Sequence, residues 1–437
     1  MRWLALALLA SAAPVASANG RPPRTNGVYF RPGDAHSIFV RSTFGLLVSR
    51  DDGCSFRWVC EKAIGYGGEF DPKYAVAADG TIFATTFEGL RLSRDGGCSW
   101  ETATAGAKPG DPGNISDIWI DALDISPTGE IWVATAESAK PNDVYSSTDN
   151  GVTFRPRGLH SPTIWWKSVK VAKANPMRIY LAGYQVSGRK PGAHLMRSND
   201  GGITWAELAL APMKFGATPI VLVAAVDPKQ PDTLLVTSLG SNGKGDQLYR
   251  STTGGYAFTE VLVSEDTLRD VVFAADGSVY AAALTGTYRS TDNGATFQVL
   301  AGSPQLDCIN QRSDGSLVGC GANWDRDFKA AVATTTPGDP TAWSKLFRFV
   351  DLAGPLTCAA GTTAQRLCAP SWPSLQQQFG STGQTASCPV VAEPAPSPPA
   401  PAPAPAQAPG CCDAGRSNQL GALALAGWIA WLRRRRR

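Results

Sequence analysis

One eight-residue stretch keeps returning along this chain, and it limits what the chain can fold into. It reads Ser49-Arg50-Asp51-Asp52-Gly53-Cys54-Ser55-Phe56 first and Ser93-Arg94-Asp95-Gly96-Gly97-Cys98-Ser99-Trp100 next, then recurs at 147–154, 198–205 and 290–297. The shared pattern is S-x-D-x-G-x-[ST]-[FW]. A further copy at 251–258 has Thr253 where the Asp belongs and Ala257 where the hydroxyl belongs. Each constant position has a local task. Asp51, Asp95, Asp149, Asp200 and Asp292 are placed to accept backbone N–H groups of their own turn, and the glycine supplies a positive φ without a steric penalty. The hydroxyls close the remaining local bonds. The aromatic opens a new strand and brings a large apolar surface to bury.

A short apolar run precedes each copy: Ile38-Phe39-Val40, Ile82-Phe83-Ala84, Ile131-Trp132-Val133, Ile179-Tyr180-Leu181, Leu234-Leu235-Val236 and Val279-Tyr280-Ala281. A seventh run, Leu317-Val318, is followed by a frame at 336–343 that keeps only the hydroxyl and the aromatic, as in a worn copy. Short β-branched strands between Gly, Asn and Asp turns predict an all-β fold. A period of about 40 to 50 residues with four strands per unit predicts a single β-propeller of seven four-stranded blades. The second unit shows the strands best, at 74–78, 81–85, 90–93 and 99–102. Both the first and the last unit carry their own four strands, so the pattern does not say which end closes the ring.

The eight-residue pattern resembles the Asp-box of the BNR-repeat families, β-propellers that include sialidases, sortilin-type receptors and photosystem assembly factors. The resemblance implies that the boxes lie at the outer rim, on the face away from the binding site. The five aspartates are then structural, not catalytic acids or calcium ligands.

The two ends differ from the repeats. Residues 1–18 have Arg2, an apolar segment at 4–10 and the cleavage pattern Ala16-Ser17-Ala18, the features of a secretory signal. The propeller then spans 19–350, and 351–390 form a disulfide-containing cap or closing segment. Residues 391–410 are a Pro/Ala-rich spacer, extended and semi-rigid. Residues 411–437 begin with Cys411-Cys412 and end in an apolar stretch and five arginines; the apolar part is shorter than the about 20 residues of an ordinary spanning helix. This end resembles the MYXO-CTERM sorting signal of myxobacterial surface proteins. That resemblance implies processing and lipid attachment at Cys411 or Cys412, a cell-surface location and membrane association through the C-terminus alone. Setting aside the seven positive charges and one negative charge of the two end segments turns the formal +3 into about −3. Nothing basic is left to argue for nucleic acid.

Eight cysteines precede the sorting segment, and an even number in an exported chain predicts disulfides. Cys308 and Cys320 flank the Asp314-Gly315 turn and are expected to face each other across two strands. Cys358 and Cys368 flank Gly361 and are expected to pair likewise. No C-x-x-C pair occurs, and three scattered histidines, His36, His160 and His194, offer neither a metal set nor a Ser-His-Asp site, so no metal or cofactor is expected.

In a propeller the b–c loops and d–a links share one face, where ligands usually bind. From apolar run to box the gap is 11 residues in units 1, 2 and 6, but 16, 19, 17 and 19 in units 3, 4, 5 and 7. The insertions, at 138–143, 184–192, 240–247 and 323–328, include Tyr184 and Trp324. Loops beyond closing length are where binding residues collect, although lengthening a loop costs little and drift accounts for it equally. The d–a links add Tyr66 and Glu69, Trp119 and Asp121, Trp165, Trp166 and Lys167, and Arg269 and Asp270. Paired aromatics beside polar groups suit a sugar ring or a peptide; the blander expectation is that Trp119, Trp165 and Trp166 pack between blades.

Two functions follow. The first is a non-catalytic surface propeller that binds a glycan or a protein, with Tyr66, Trp119, Trp165, Lys167, Tyr184, Arg269 and Trp324 as binding candidates. The second is a glycoside hydrolase of sialidase-like or related type. Glu69, Asp121 and Asp270 are its candidate carboxylates, needed about 5 to 10 Å apart. Sialidases open with Arg-Ile-Pro; the nearest stretch here, Phe30-Arg31-Pro32, lacks the Ile, and no arginine triad can be placed. The binding reading is preferred.

Overall fold

The computed structural model describes residues 21–68, 70–103, 108, 110–185, 192–216, 219–240, 245–323 and 330–383. The signal (1–18), spacer (391–410) and sorting segment (411–437), with Cys411 and Cys412, lie outside the described residues, as do Glu69 and Trp324.

Seven four-stranded antiparallel sheets follow one another, each made of four consecutive strands, so the fold is a seven-bladed propeller. Blade 1 comprises Thr25–Phe30, Ile38–Ser42, Gly45–Ser49 and Arg57–Cys60. The innermost strands of the blades, Thr25–Phe30, Tyr74–Val76, Ile120–Ile125, Ile164–Val171, Val221–Val226, Leu268–Phe273 and Cys308–Gln311, pack side by side around the axis. The apolar runs are the second strands. Ile82–Thr86, Ile131–Thr135, Leu234–Ser238 and Val279–Ala283 are buried at every position because a neighbouring blade covers each face. This is why they read as unbroken hydrophobic stretches rather than alternating ones. Four of the outermost strands, Glu101–Thr102, Arg155–Pro156, Ala206–Glu207 and Gln298–Val299, have two residues each, which leaves little open edge on those blades.

The boxes fold as their residues dictate. In blade 6 the Ser290 hydroxyl donates to Asp292 (2.7 Å) and accepts from Gly294 N–H (2.8 Å), while Thr296 donates to Asp292 from N–H (2.9 Å) and from its hydroxyl (2.6 Å). In blade 5 the Thr253 hydroxyl replaces one carboxylate bond, accepting Ala257 N–H at 2.9 Å. Arginines beside the boxes reach the next blade: Arg50 to Gly96 O (2.9 Å), Arg94 to Asn150 O (3.0 Å), Arg197 to Gly254 O (2.7 Å) and Arg250 to Asn293 O (2.8 Å). Each turn is therefore also an inter-blade clasp.

Blade 7 corrects one expectation. The frame at 336–343 is not a worn box. Val332–Thr336 pairs with Asp339–Phe347 through a tight turn at Pro337-Gly338, and Trp343 lies inside the fourth strand. Without the Asp, nothing holds the longer turn, and Gly338 at φ +81° makes the short one.

No strand is exchanged at the junction of blades 7 and 1. Thr25 Oγ1 donates to Gly321 O (2.6 Å) and accepts Gly321 N–H (3.0 Å), and Asn310 Nδ2 donates to Val28 O (3.2 Å). Residues 353–356 then run parallel to the outer strand of blade 1, with Trp58 N–H to Gly354 O and Leu356 N–H to Trp58 O both at 2.8 Å. The chain continues to blade 2, where Ala364 N–H donates to Cys98 O at 2.9 Å as the helix Thr363–Cys368 begins.

The disulfides follow this course. Cys308 and Cys320 are directly opposed and bonded, as expected. Cys358 and Cys368 are both bonded but not to each other: Cys358 joins Cys98 and Cys368 joins Cys60. The closing segment has little core of its own, so it lies against blades 1 and 2 and its cysteines face theirs. Cys54 is disulfide-bonded as well.

Candidate functional site

With strands in the order a, b, c, d, the boxes and the a–b turns lie on one face, and the d–a links and b–c loops on the other. The mouth of the channel on the second face is built by a repeated irregularity. Five innermost strands carry one extra residue against their neighbour: Asn26, Asp121, Lys167, Ala224 and Arg269. A bulge leaves its residue outside the ladder and re-aims the side chain. Lys73 continues the series in blade 2; it directly precedes Tyr74–Val76, and its carbonyl accepts Thr85 N–H at 3.0 Å.

Three of these residues meet. Lys73 Nζ donates to Asp121 Oδ1 at 3.1 Å and to two backbone carbonyls, Asp121 O (2.5 Å) and Lys167 O (3.1 Å). Lys167 Nζ contacts Asp121 Oδ2 on the other side. Burial, with Arg41 and Lys170 nearby, lowers the Lys73 ammonium to about 7; burial and then Lys73 lower Lys167 to about 7. Asp270 faces the same axis, but its oxygens accept Val271 N–H (3.0 Å) and Ile309 N–H (3.1 Å), and burial pushes its carboxyl up. Asp124, also raised by burial, accepts Val171 N–H at 2.7 Å. Asp121 and Asp270 thus have different partners.

Beside the ion cluster runs a row of aromatic rings. Phe70 and Phe87 lie 4.8 Å apart between centroids, Phe87 and Trp119 4.9 Å, Trp119 and Trp165 5.3 Å, and Trp165 and Tyr184 6.1 Å. The row crosses blades 2 to 4 and draws on both d–a links and b–c loops. Phe87 is 47 % exposed, and the other four are half-buried. The Lys167 ammonium lies 4.6 Å from the Trp119 ring centroid, which joins row and cluster. At the rim, Glu137 accepts the N–H groups of Ser138 (2.7 Å), Ala139 (3.0 Å) and Trp119 (3.4 Å).

The expected residues therefore divide. Trp119, Trp165, Lys167, Tyr184 and Asp121 come together. Trp166 is buried between blades 3 and 4 with Trp132 and Val144, as the blander expectation had it for all three tryptophans. Tyr66 packs with the core of blades 1 and 2, and burial raises its hydroxyl well above the ordinary value. Arg269 is across the ring, 3.8 Å from Asp307. Arg31 is on the box face, donating to Ala78 O at 3.0 Å, and starts no arginine cluster. Lys73, Phe70 and Phe87 were not foreseen. Phe87 had a signal, an aromatic at the tip of the tight b–c turn. Among the described residues no group of three or more His, Cys, Asp or Glu is arranged to hold a metal ion.

No family model and no curated protein matches the chain. Solved structures do. An ancestral GH74 enzyme aligns over 75 % of this chain and 47 % of its own at 15 % identity, TM-score 0.53. The GH74 enzyme of Niastella koreensis aligns over 73 % and 65 % at 15 % identity, TM-score 0.43. A Hadza microbial sialidase aligns over 64 % and 70 % at 17 % identity, TM-score 0.37. The chain spans less than two thirds of the length of the two GH74 structures. At these identities the likeness is one of fold.

Proposed function

We propose that the face bearing the aromatic row binds a glycan. The observation that carries this is the row itself: five neighbouring, partly open rings on a rigid scaffold, ending on a lysine and a carboxylate. Flat apolar rings match the C–H face of a sugar, and nearby polar groups take its hydroxyls. The rings belong to different blades, so the surface is set before the ligand arrives. A glycan array probed with the purified protein tests this. Trp119→Ala and Trp165→Ala should each weaken binding by about 2 kcal/mol, roughly thirtyfold, with little change in melting. Undiminished binding in both would sink the proposal.

Glycan cleavage is the second reading, and the fold shared with a GH74 enzyme leans toward it. Hydrolysis needs two carboxylates about 5 to 10 Å apart. Asp121 is held by two lysines, and Asp124 and Asp270 are turned to backbone N–H groups. Analysis of products after incubation with any bound glycan decides between the two readings. Release of shorter sugars that stops in Asp121→Asn would replace binding with hydrolysis.

We also infer export and anchoring at the cell surface, on the signal-like and sorting-like ends. Disulfides joining distant parts of the chain suit an oxidising compartment. Mass spectrometry of the mature protein should find the C-terminal arginines removed; an intact arginine tail on cell-surface protein would count against this.

A further inference from the structure

The lysines at the channel mouth outnumber the carboxylate between them. The Asp121 side chain is 3 % exposed, whereas 38 % of Lys73 and 21 % of Lys167 stay open to the channel. The other partners of Lys73 are backbone carbonyls, which orient an ammonium without cancelling its charge. Arg41, bonded to Asn26, and Lys170 bring further positive charge to bear on Lys73. The nearby carboxyls Asp124 and Asp270, raised by burial, turn their oxygens to backbone N–H groups rather than to Lys73 or Lys167. Glu137, at the rim, keeps its charge and spends its carboxylate on three backbone N–H groups rather than on either lysine. Two full positive charges in an enclosed place are unfavourable, which is why both lysines are lowered to about 7; an incoming anion favours their protonated forms through charge-assisted hydrogen bonds.

We propose, resting on the glycan reading above, that the saccharide taken here is acidic: a sugar stacked on the Trp119–Trp165 part of the row delivers its carboxylate to the Lys167 ammonium, with the charge of Lys73 beside it. Geometry makes the two contacts compatible. Lys167 touches the Trp119 ring and Asp121 at once, so the stacking surface and the charged pair share one side chain. Lys73 spends its three N–H groups on Asp121 and the Lys167 carbonyl, whereas Lys167, held by Asp121 on one side, keeps hydrogens for the ligand. A uronate-bearing polymer fits an extended row of five rings better than a single small anion does.

The test measures affinity of the intact protein for polygalacturonate, for the same polymer with its carboxyls reduced to alcohols, and for dextran sulfate. Polygalacturonate should bind about ten- to hundredfold tighter than its reduced form, the range of a hydrogen bond to a charged group. Lys167→Met keeps the apolar stem against Trp119 and should erase that preference, so that polygalacturonate and its reduced form bind alike. Asp121→Asn removes the carboxylate that competes with the ligand for Lys167, so it should tighten polygalacturonate binding severalfold; it serves if the lysine variant fails to fold. Equal binding of the two polymers, or a preference untouched in both variants, overturns the proposal and leaves the glycan reading standing. Dextran sulfate bound as tightly as polygalacturonate, with no loss in Trp119→Ala, marks unspecific polyanion attraction and also overturns it. The glycan reading fails separately, if Trp119→Ala and Trp165→Ala change nothing on any polymer.

Discussion

A carboxylate that accepts hydrogen bonds from its own turn is held in its charged form. The Thr204 hydroxyl, then Thr204 N–H and the Ser198 hydroxyl, lower Asp200 from 3.8 to about 2, and the Thr296 hydroxyl, the Ser290 hydroxyl and Thr296 N–H lower Asp292 further. The folded value is below the unfolded one, so this stabilisation is present above about pH 4 and fades as pH falls toward about 2. Thermal melts through that window should show the decline, and Asp200→Asn with Asp292→Asn should flatten it; an unchanged slope would mean the boxes do not couple to folding. Blade 5 offers the reverse experiment. Thr253→Asp with Ala257→Thr rebuilds a full box and should add about 1 kcal/mol in denaturant titrations, the net worth of a hydrogen bond. These turns were readable in advance because every partner lies within a few residues. Lys73 was not, since its worth depends on Asp121 and Lys167 from two other blades.

Within the elements, the bulge is the device that turns a structural strand into a functional one. A regular innermost strand alternates its side chains between the two faces of its blade; the extra residue breaks that alternation where the channel opens. The apolar runs announce the strands, but register is set by packing, so neither Asp121 nor Lys167 carries a mark of its bulge in the letters around it. The same holds for Phe70, which follows Glu69 in the first d–a link yet gains meaning only 5.6 Å from Trp119. The bulge of blade 4 has a partner that can be tested. A Cβ on Gly183 would meet Trp165 O at 2.4 Å and Trp166 at 2.8 Å. Gly183→Ala should therefore cost about 1–3 kcal/mol and shift Trp165, weakening glycan capture as well. A variant that melts and binds like the parent would show that the strand pair gives way freely.

On the scale of the whole molecule, sequence order and ring order agree until the last blade, and then the chain turns back. The pairing of Cys358 and Cys368 with Cys98 and Cys60 could not be read from spacing, because the bonded residues are 260 and 308 positions apart. Cys60→Ser with Cys368→Ala should lower stability by about 2–5 kcal/mol in guanidinium titrations, chiefly by releasing a very long closed loop in the unfolded chain. The same bond has a consequence for a protein meeting proteases. It makes everything from Cys60 to Cys368 a closed covalent hoop. A single backbone cut anywhere in six of the seven blades then yields two pieces that travel as one. On a gel without reductant the nicked molecule should run as a single full-mass species, splitting only when thiol is added. Damage to one loop of the binding face would leave the other blades attached and in place.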